Sequence, residues 1–409
     1  MESEANNIIR VGSRKSELAL IQTNHVIDCL KKANPENKFE IVTMTTLGDR
    51  VLDQPLPKIG EKSLFTKDLE DALMSNRVDF VVHSLKDMPT TLPEGLAIGA
   101  VFEREDPRDA LILKEEFKGH SLSTLPTGSV IGTSSLRRTA QLRGSYSQLK
   151  VVDVRGNLNT RLRKLDDPQG QYAALLLANA GIERMGWANR VSEVLPCAKI
   201  MYAVGQGALA VECRSDNEPI LNMLAAFNHP ETYCRVLAER SFLKTLGGGC
   251  SAPVGVSTRL KQTDADYKLS ITGAVWSMDG DTKLQHTLEQ TFVQIKKCNK
   301  HKLSPTDETD CKKIKVDTNN GSNDLNPVEV LNQRITDKAA SLNCEDLTNS
   351  APARQIFCGL TANTNMPMDV IVKCDIVGRE LAEALISKGA LEVMKVTQDI
   401  IRSSVAKKS

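Results

Sequence analysis

The residues most able to do chemistry in this sequence are one cysteine, one aspartate and a recurrent set of arginines. Cys250 lies in Thr245-Leu246-Gly247-Gly248-Gly249-Cys250-Ser251-Ala252-Pro253. Glycines there permit the positive φ values that end a helix and leave the thiol without bulky neighbours on one side. Such a cysteine is either a buried structural thiol, as free cysteines commonly are, or an accessible sulfur to which a group is joined. Spacing alone does not choose between them.

The arginines recur in one setting: an apolar run ends, a polar or cationic turn follows, and usually a helix begins. Arg14, Arg137, Arg138, Arg155, Arg161 and Arg184 all fall in or just beyond such turns. In open α/β sheets these turns line the ligand crevice at the carboxyl ends of the strands. Arg137 and Arg138 follow Ser134 and Ser135, either of which can cap a helix. Cations in a first helical turn oppose the helix dipole by about 0.3–1 kcal/mol each. A carboxylate or phosphate ligand reverses that balance, because helix N–H groups and guanidinium forks both favour anions. Each arginine alone is equally a solvated or salt-bridged surface residue; the recurrence points to a site. Asp87, between Lys86 and Pro89, is the lone acid among these turns. It is either an ordinary turn residue or a carboxylate placed to stabilise a cation developing on an anionic substrate. His83, at the end of an apolar strand, reads as a packed residue.

The elements that must position these groups alternate in type. Ile8–Gly12 reads as a strand, Glu17–Leu30 as an amphipathic helix and Phe39–Met44 as the next strand. A stretch rich in glycine and proline at 47–62 reads as a mobile loop. Its Gly60-Glu61-Lys62-Ser63 lacks the first glycine of a phosphate-binding loop. A helix over Leu64–Met74 and a strand over Val78–Val82 follow. The pattern restarts near Pro107, with strands at Ser129–Thr133, Lys150–Val154 and Ala173–Ala178. Tyr202–Val211 carries hinge glycines at Gly205 and Gly207. Two such blocks predict two α/β units with a cleft between them. Beyond residue 229 a helix over Pro230–Leu243 leads into three runs of antiparallel character. Another helix is expected over Asp375–Lys388, with Asp375 as its cap. Residues 296–355 are rich in Lys, Asp, Asn, Thr and Ser and read as a disordered insertion.

Composition bounds the rest. The 409 residues suit two or three domains at about 150 residues each. Lys+Arg 52 against Asp+Glu 51 gives a net charge of +1, so no global field draws nucleic acid. The acidic N-terminus is unlike a leader, and no apolar run approaches the roughly 20 residues of a membrane span. The absence of a C-x-x-C pair or an H-E-x-x-H argues for reduced thiols and against a structural metal. A cytoplasmic monomer is expected.

The assembled motifs resemble the porphobilinogen deaminase (hydroxymethylbilane synthase) family. They are Arg10–Ser16, Gly60–Lys67, Val82–Pro89, Gly132–Arg138, Arg155–Arg161, Ala203–Leu209 and Gly248–Cys250, in family order over residues 8–280. The resemblance implies two type II periplasmic-binding-protein-like domains, each with a mixed sheet, plus a smaller α+β domain with an antiparallel sheet. Residues 1–104 with 205–228 would form the first domain, 105–204 the second and 229–409 the third, with the 47–62 loop as a flap. It implies a dipyrromethane cofactor joined by a thioether to Cys250, extended by four porphobilinogen units with loss of ammonia. Asp87 would assist at the pyrrole nitrogens. Ser84, Lys86, Thr133, Ser134, Arg137, Arg138, Arg161 and Gln206 would hold the cofactor, and Arg14, Ser16, Arg155 and Arg184 the substrate or growing chain. Gly247 stands where the family commonly has an acidic residue, which implies a looser loop. Two other readings stay open: a two-lobed module that binds a small anion without chemistry, and a catalytically silent relative.

Overall fold

The computed structural model describes residues 8–46, 66–248, 252–262, 266–293 and 355–406. The loop at 47–62, Cys250 itself and the insertion at 296–355, save Gln355, lie outside the described residues. So do Leu64 and Phe65 at the expected start of a helix.

In chain order, β1 (Ile8–Arg14), α1 (Glu17–Ala33), β2 (Lys38–Met44), α2 (Lys67–Met74), β3 (Phe80–Ser84) and β4 (Leu96–Val101) come first. A second set follows: β5 (Asp109–Leu113), β6 (Val130–Gly132), α3 (Leu136–Ser145), β7 (Lys150–Val152), α4 (Leu158–Asp166), β8 (Ala174–Ala178), α5 (Asn179–Arg184) and β9 (Glu193–Leu195). The chain then returns through β10 (Leu209–Arg214) and α6 (Glu218–Ala225).

The two sheets share one plan. The first runs β2-β1-β3-β10-β4, with β1 parallel to β2 and β3 and with β10 antiparallel to both its neighbours. The second runs β7-β6-β8-β5-β9, with β6 parallel to β7 and β8 and with β5 antiparallel to both its neighbours. In each, the antiparallel strand is the one that arrives from the other lobe. Two crossovers, at 102–108 and 196–208, therefore connect the lobes and form their hinge. Helices cover both faces of the first sheet, as burial of largely apolar strands such as Leu96–Val101 requires.

α7 (Pro230–Thr245) begins with proline at its first position, capped by the His229 side chain accepting from Thr232 N–H. It packs with α8 (Met368–Ile386) against a meander of β11 (Val254–Gln262), β12 (Asp266–Trp276) and β13 (Lys283–Val293). α9 (Ala390–Ala406) follows Gly389. The last third of the chain also reaches the first sheet: β14 (Ile356–Phe357) and β15 (Leu360–Thr361) extend it beyond β4. Cys358 and Gly359 turn that hairpin at φ 50° and 86°.

One helix start differs from expectation. α8 begins at Met368, after Pro367, and not at Asp375. Asp375 lies inside the helix, where it accepts from Ser241 and pairs with Arg379 at 3.1 Å. A serine on α7 and an arginine one turn along α8 satisfy this carboxylate where an N-cap would otherwise have used it.

Candidate active site

The strongest polar cluster centres on Asp109, the first residue of β5, which is fully buried. Its Oδ2 accepts from Arg137 Nη1 at 2.9 Å and Arg138 Nε at 3.0 Å; its Oδ1 accepts from Arg138 Nη2 at 2.7 Å and Gln206 Nε2 at 2.7 Å. Burial alone would push the Asp109 carboxyl up. The Arg137 and Arg138 guanidiniums more than offset it and hold that carboxyl well below the usual carboxylate range. The paired arginines that seemed to demand an external anion thus already share an internal one. Yet Arg137 also donates to Met201 O, and its Nε has no hydrogen-bond partner among the described residues. The helix cap is Ser135, without a side-chain cap bond, and Ser134 Oγ instead donates to Val154 O at 2.6 Å. Thr133 is buried beside them, its Oγ1 accepting from Ser135 N–H at 3.3 Å.

Facing this cluster is the turn after β3. Ser84 Oγ accepts from Gln22 Nε2 at 3.1 Å, and Leu85–Asp87 forms a 3₁₀ turn with Asp87 exposed at its tip. Burial pulls the Lys86 ammonium down to about 8, with Asp87 and Asp109 opposing and Arg138 and Arg137 reinforcing. Arg161, from the second lobe, is pulled down to about 10 by burial and by Arg138, and it also feels Asp87. Its Nε donates to Gly156 O at 2.8 Å. Lys86, Arg137, Arg138, Arg155 and Arg161 stand against Asp87, Asp109 and Asp153, a surplus of positive charge. Arg155 pairs with Asp153 at 3.0 Å. One cavity is lined by Lys86 from the first lobe, Ser135 and Arg137 from the second, Val204 from the hinge, and Gly248 and Ala252 from the third. The last two flank the segment that contains Cys250. Gly247, at φ +65°, has a conformation that suits glycine.

The remaining candidates lie apart from this cluster. Ser16 caps α1 without a side-chain bond, just after Arg14 at the end of β1. That rim meets the second lobe where Asn159 Nδ2 donates to Glu17 Oε2 at 2.8 Å. Arg184 Nη2 donates to the hinge carbonyl of Gly207 at 2.7 Å.

Two groups escaped the sequence reading. One is Asp109, whose signal is an acid at the mouth of an apolar strand after Pro107-Arg108. The other is the buried pair Arg104–Glu239. Arg104 forks onto Glu239 at 2.7 and 2.9 Å, while Glu239 also accepts from Gly205 N–H at 2.8 Å and Thr258 Oγ1 at 2.6 Å. No local pattern marks it, because its members come from both crossovers, α7 and β11.

Fold and site together define a two-lobed, type II periplasmic-binding-protein-like scaffold whose cationic cleft abuts a third α+β unit. A family model described as "Porphobilinogen deaminase, dipyromethane cofactor binding domain" matches residues 9–222, and one described as "Porphobilinogen deaminase, C-terminal domain" matches residues 233–302. The porphobilinogen deaminase of Synechococcus elongatus is 54% identical over 285 residues, covering 70% of this chain and 87% of that one. That of a Nostoc species is 52% identical over 286 residues, with the same coverage of 70% and 87%. Among solved structures, the methionine-binding protein MetQ aligns with TM-score 0.33 at 16% identity, covering 56% of this chain and 93% of that one. The BenM effector-binding domain aligns with TM-score 0.33 at 15% identity, covering 54% and 89%. This chain belongs to the porphobilinogen deaminase family, transferases of tetrapyrrole biosynthesis with a dipyrromethane cofactor.

Proposed function

We propose that this chain joins four porphobilinogen molecules head to tail into hydroxymethylbilane, releasing ammonia at each addition, on a dipyrromethane primer held by the Cys250 thiol. The observation that carries this reading is a cavity lined by Lys86 and Arg137 together with Gly248 and Ala252, the described residues on either side of the tether segment, with Arg138 and Arg161 within electrostatic reach. Arg137 and Arg138 already share Asp109, and the buried Arg137 Nε, without a hydrogen-bond partner among the described residues, is a donor that an anionic ligand would satisfy. The residues therefore fit the acidic cofactor.

When bound, the primer supplies a nucleophilic pyrrole and its own carboxylates. Lys86, Arg137, Arg138 and Arg161 would pair with those carboxylates, and Ser84, Thr133, Ser134 and Gln206 would complete the cradle. Arg14, Ser16, Arg155 and Arg184 would grip the incoming substrate and the growing chain. Asp87, an acceptor-only carboxylate at the tip of its turn, would face the positive charge that develops on porphobilinogen as ammonia leaves, and would take a proton afterwards.

Residues 1–104 with 205–228 would act as one unit, 105–204 as a second and 229–409 as a third. The antiparallel insertion of β10 between β3 and β4 supports the first grouping. We read the enzyme as a cytosolic monomer that uses no metal and binds no nucleic acid. Among the described residues, no helix is long and apolar enough to cross a membrane.

Intact-protein mass measurement tests the reading. Wild-type protein should carry one dipyrromethane on the peptide with Cys250, and Cys250→Ser should carry none and be inactive. Asp87→Ala should keep the adduct and lose elongation by a factor of about 100 or more. Normal turnover in either variant, or bare wild-type protein that turns over substrate, would defeat the proposal.

A further inference from the structure

Beneath the turn that bears Lys86 and Asp87 lies a second polar cluster, on the opposite side of the sheet from α1. In the register of β3 with β10, His83 stands opposite Ala210 and Glu212 opposite Val81. His83 and Glu212 are thus diagonal neighbours on one face. His83 Nε2 and Glu212 Oε2 are 3.0 Å apart, and both side chains are buried. α2 closes this face with Leu69, Leu73 and Glu70, and Glu70 is 5% exposed. Among the described residues, Glu70 Oε1 and Glu212 Oε1 have no hydrogen-bond partner. α2 and the sheet face it covers thus each carry a buried carboxyl group with an unpaired oxygen, and a proton kept on one of them avoids two uncompensated buried charges.

We propose that Glu70, His83 and Glu212 form a proton-holding unit that positions the catalytic turn. Glu70 remains a neutral carboxylic acid, and Glu212 remains the carboxylate that receives the Nε2–H of His83. His83 directly precedes Ser84. Beyond it, Leu85 N–H donates to Ala208 O at 3.0 Å and Met88 N–H to Leu85 O at 3.1 Å. The chain between His83 and Met88 is therefore short and bonded at both ends, so fixing the imidazole fixes where Lys86 and Asp87 stand. Burial pushes the Glu70 carboxyl up, with Glu212 and Asp71 adding to it and the Thr66 hydroxyl and His83 opposing, and the net direction agrees with a retained proton. The charged groups on the surrounding elements are Lys67, Asp68 and Asp71 on α2 itself, His83 on β3, Glu212 and Arg214 on β10, and Arg10 and Arg14 on β1. Arg214 is engaged at the far end of that helix, donating to Leu73 O at 2.8 Å.

The unit's role in turnover rests on the assignment of Asp87 made above, and the test separates the two. In cofactor-loaded full-length enzyme, kcat should fall on the alkaline side as Glu70 ionises. Glu70→Gln, which carries a permanent donor in the acid's place, should abolish that fall. Glu212→Ala should lower kcat by about tenfold or more while the adduct mass is retained. An unaltered alkaline limb in Glu70→Gln, or wild-type kcat in loaded Glu212→Ala, overturns the proposal. An infrared difference spectrum between wild type and Glu70→Gln at neutral pH needs neither turnover nor the second variant. A protonated carboxyl band should be lost, and its absence from wild type overturns the proposal whatever becomes of Asp87.

Discussion

Asp109 and Lys86 show how charge in this cleft is arranged atom by atom. Asp109 takes four hydrogen bonds from three side chains, two of them arginines. Asp109→Asn keeps the shape and removes the charge, leaving both guanidiniums buried and unpaired. We expect a loss of about 3–5 kcal/mol in urea unfolding. Because the folded carboxyl is held below its unfolded value, its contribution is present above about pH 4 and lost as the pH falls through the folded value. The variant should therefore lack part of the wild type's acid sensitivity. Lys86 has the opposite sign. With a folded pKa of about 8, below the ordinary lysine value, its burial costs stability at neutral pH, and that cost is relieved as the pH rises toward about 10. Its grip on anions weakens over the same range. KM for porphobilinogen should rise above about pH 8, and Lys86→Arg should flatten that rise; a KM profile indifferent to the substitution would count against it.

Among the elements, α7 has the widest reach. It carries Glu239 into the hinge and ends at the glycines before Cys250, so one helix ties the tether to both crossovers. Arg104→Met would leave Glu239 buried without its fork and should cost about 3–5 kcal/mol. Adding Glu239→Gln should restore part of that loss, because a neutral amide is cheaper to bury than an unpaired carboxylate. Denaturant unfolding of both single variants and the double variant checks this, and strict additivity would show that the pair acts as two separate groups. The positive φ of Gly205 and Gly207, at 72° and 89°, lets the second crossover turn tightly beside that pair.

For the molecule as a whole, cation surplus becomes a statement about stability. A ligand that binds only the folded chain raises the unfolding temperature. Protein without the adduct, made as Cys250→Ser, should melt below wild type, by about 1 °C per kcal/mol for a chain of this size. Added polyanions such as citrate should recover more of that deficit in Cys250→Ser than they add to wild type. Equal melting temperatures with and without the adduct would mean that the arginines are paired internally and the cleft has no need of a ligand. The junction of β15 with β4 predicts, at this scale, that the third unit and the first sheet are not independent of one another.

How much of this was legible from residues alone depended on range. Alternation and helical periodicity located most strands and helices in both lobes, because side-chain period is a local consequence of backbone geometry. The cationic turns, Asp87 and the glycines before Cys250 could be singled out for the same reason: strand ends and turn residues are local signals. Asp375 misled because an aspartate before an apolar run looks like a cap whether or not a distant serine and an arginine one turn on claim it. The sequence by itself determined which side chains could pair with anions and the order in which they occur. Only the tertiary structure decided that Arg137 and Arg138 share Asp109, that Arg104 and Glu239 meet across the hinge, and that Glu212 reaches His83 beneath the turn that bears Asp87. Such pairs join residues up to 135 positions apart, as with Arg104 and Glu239, and Coulomb attraction and burial depend on distance in space, which strand order sets and no local pattern records.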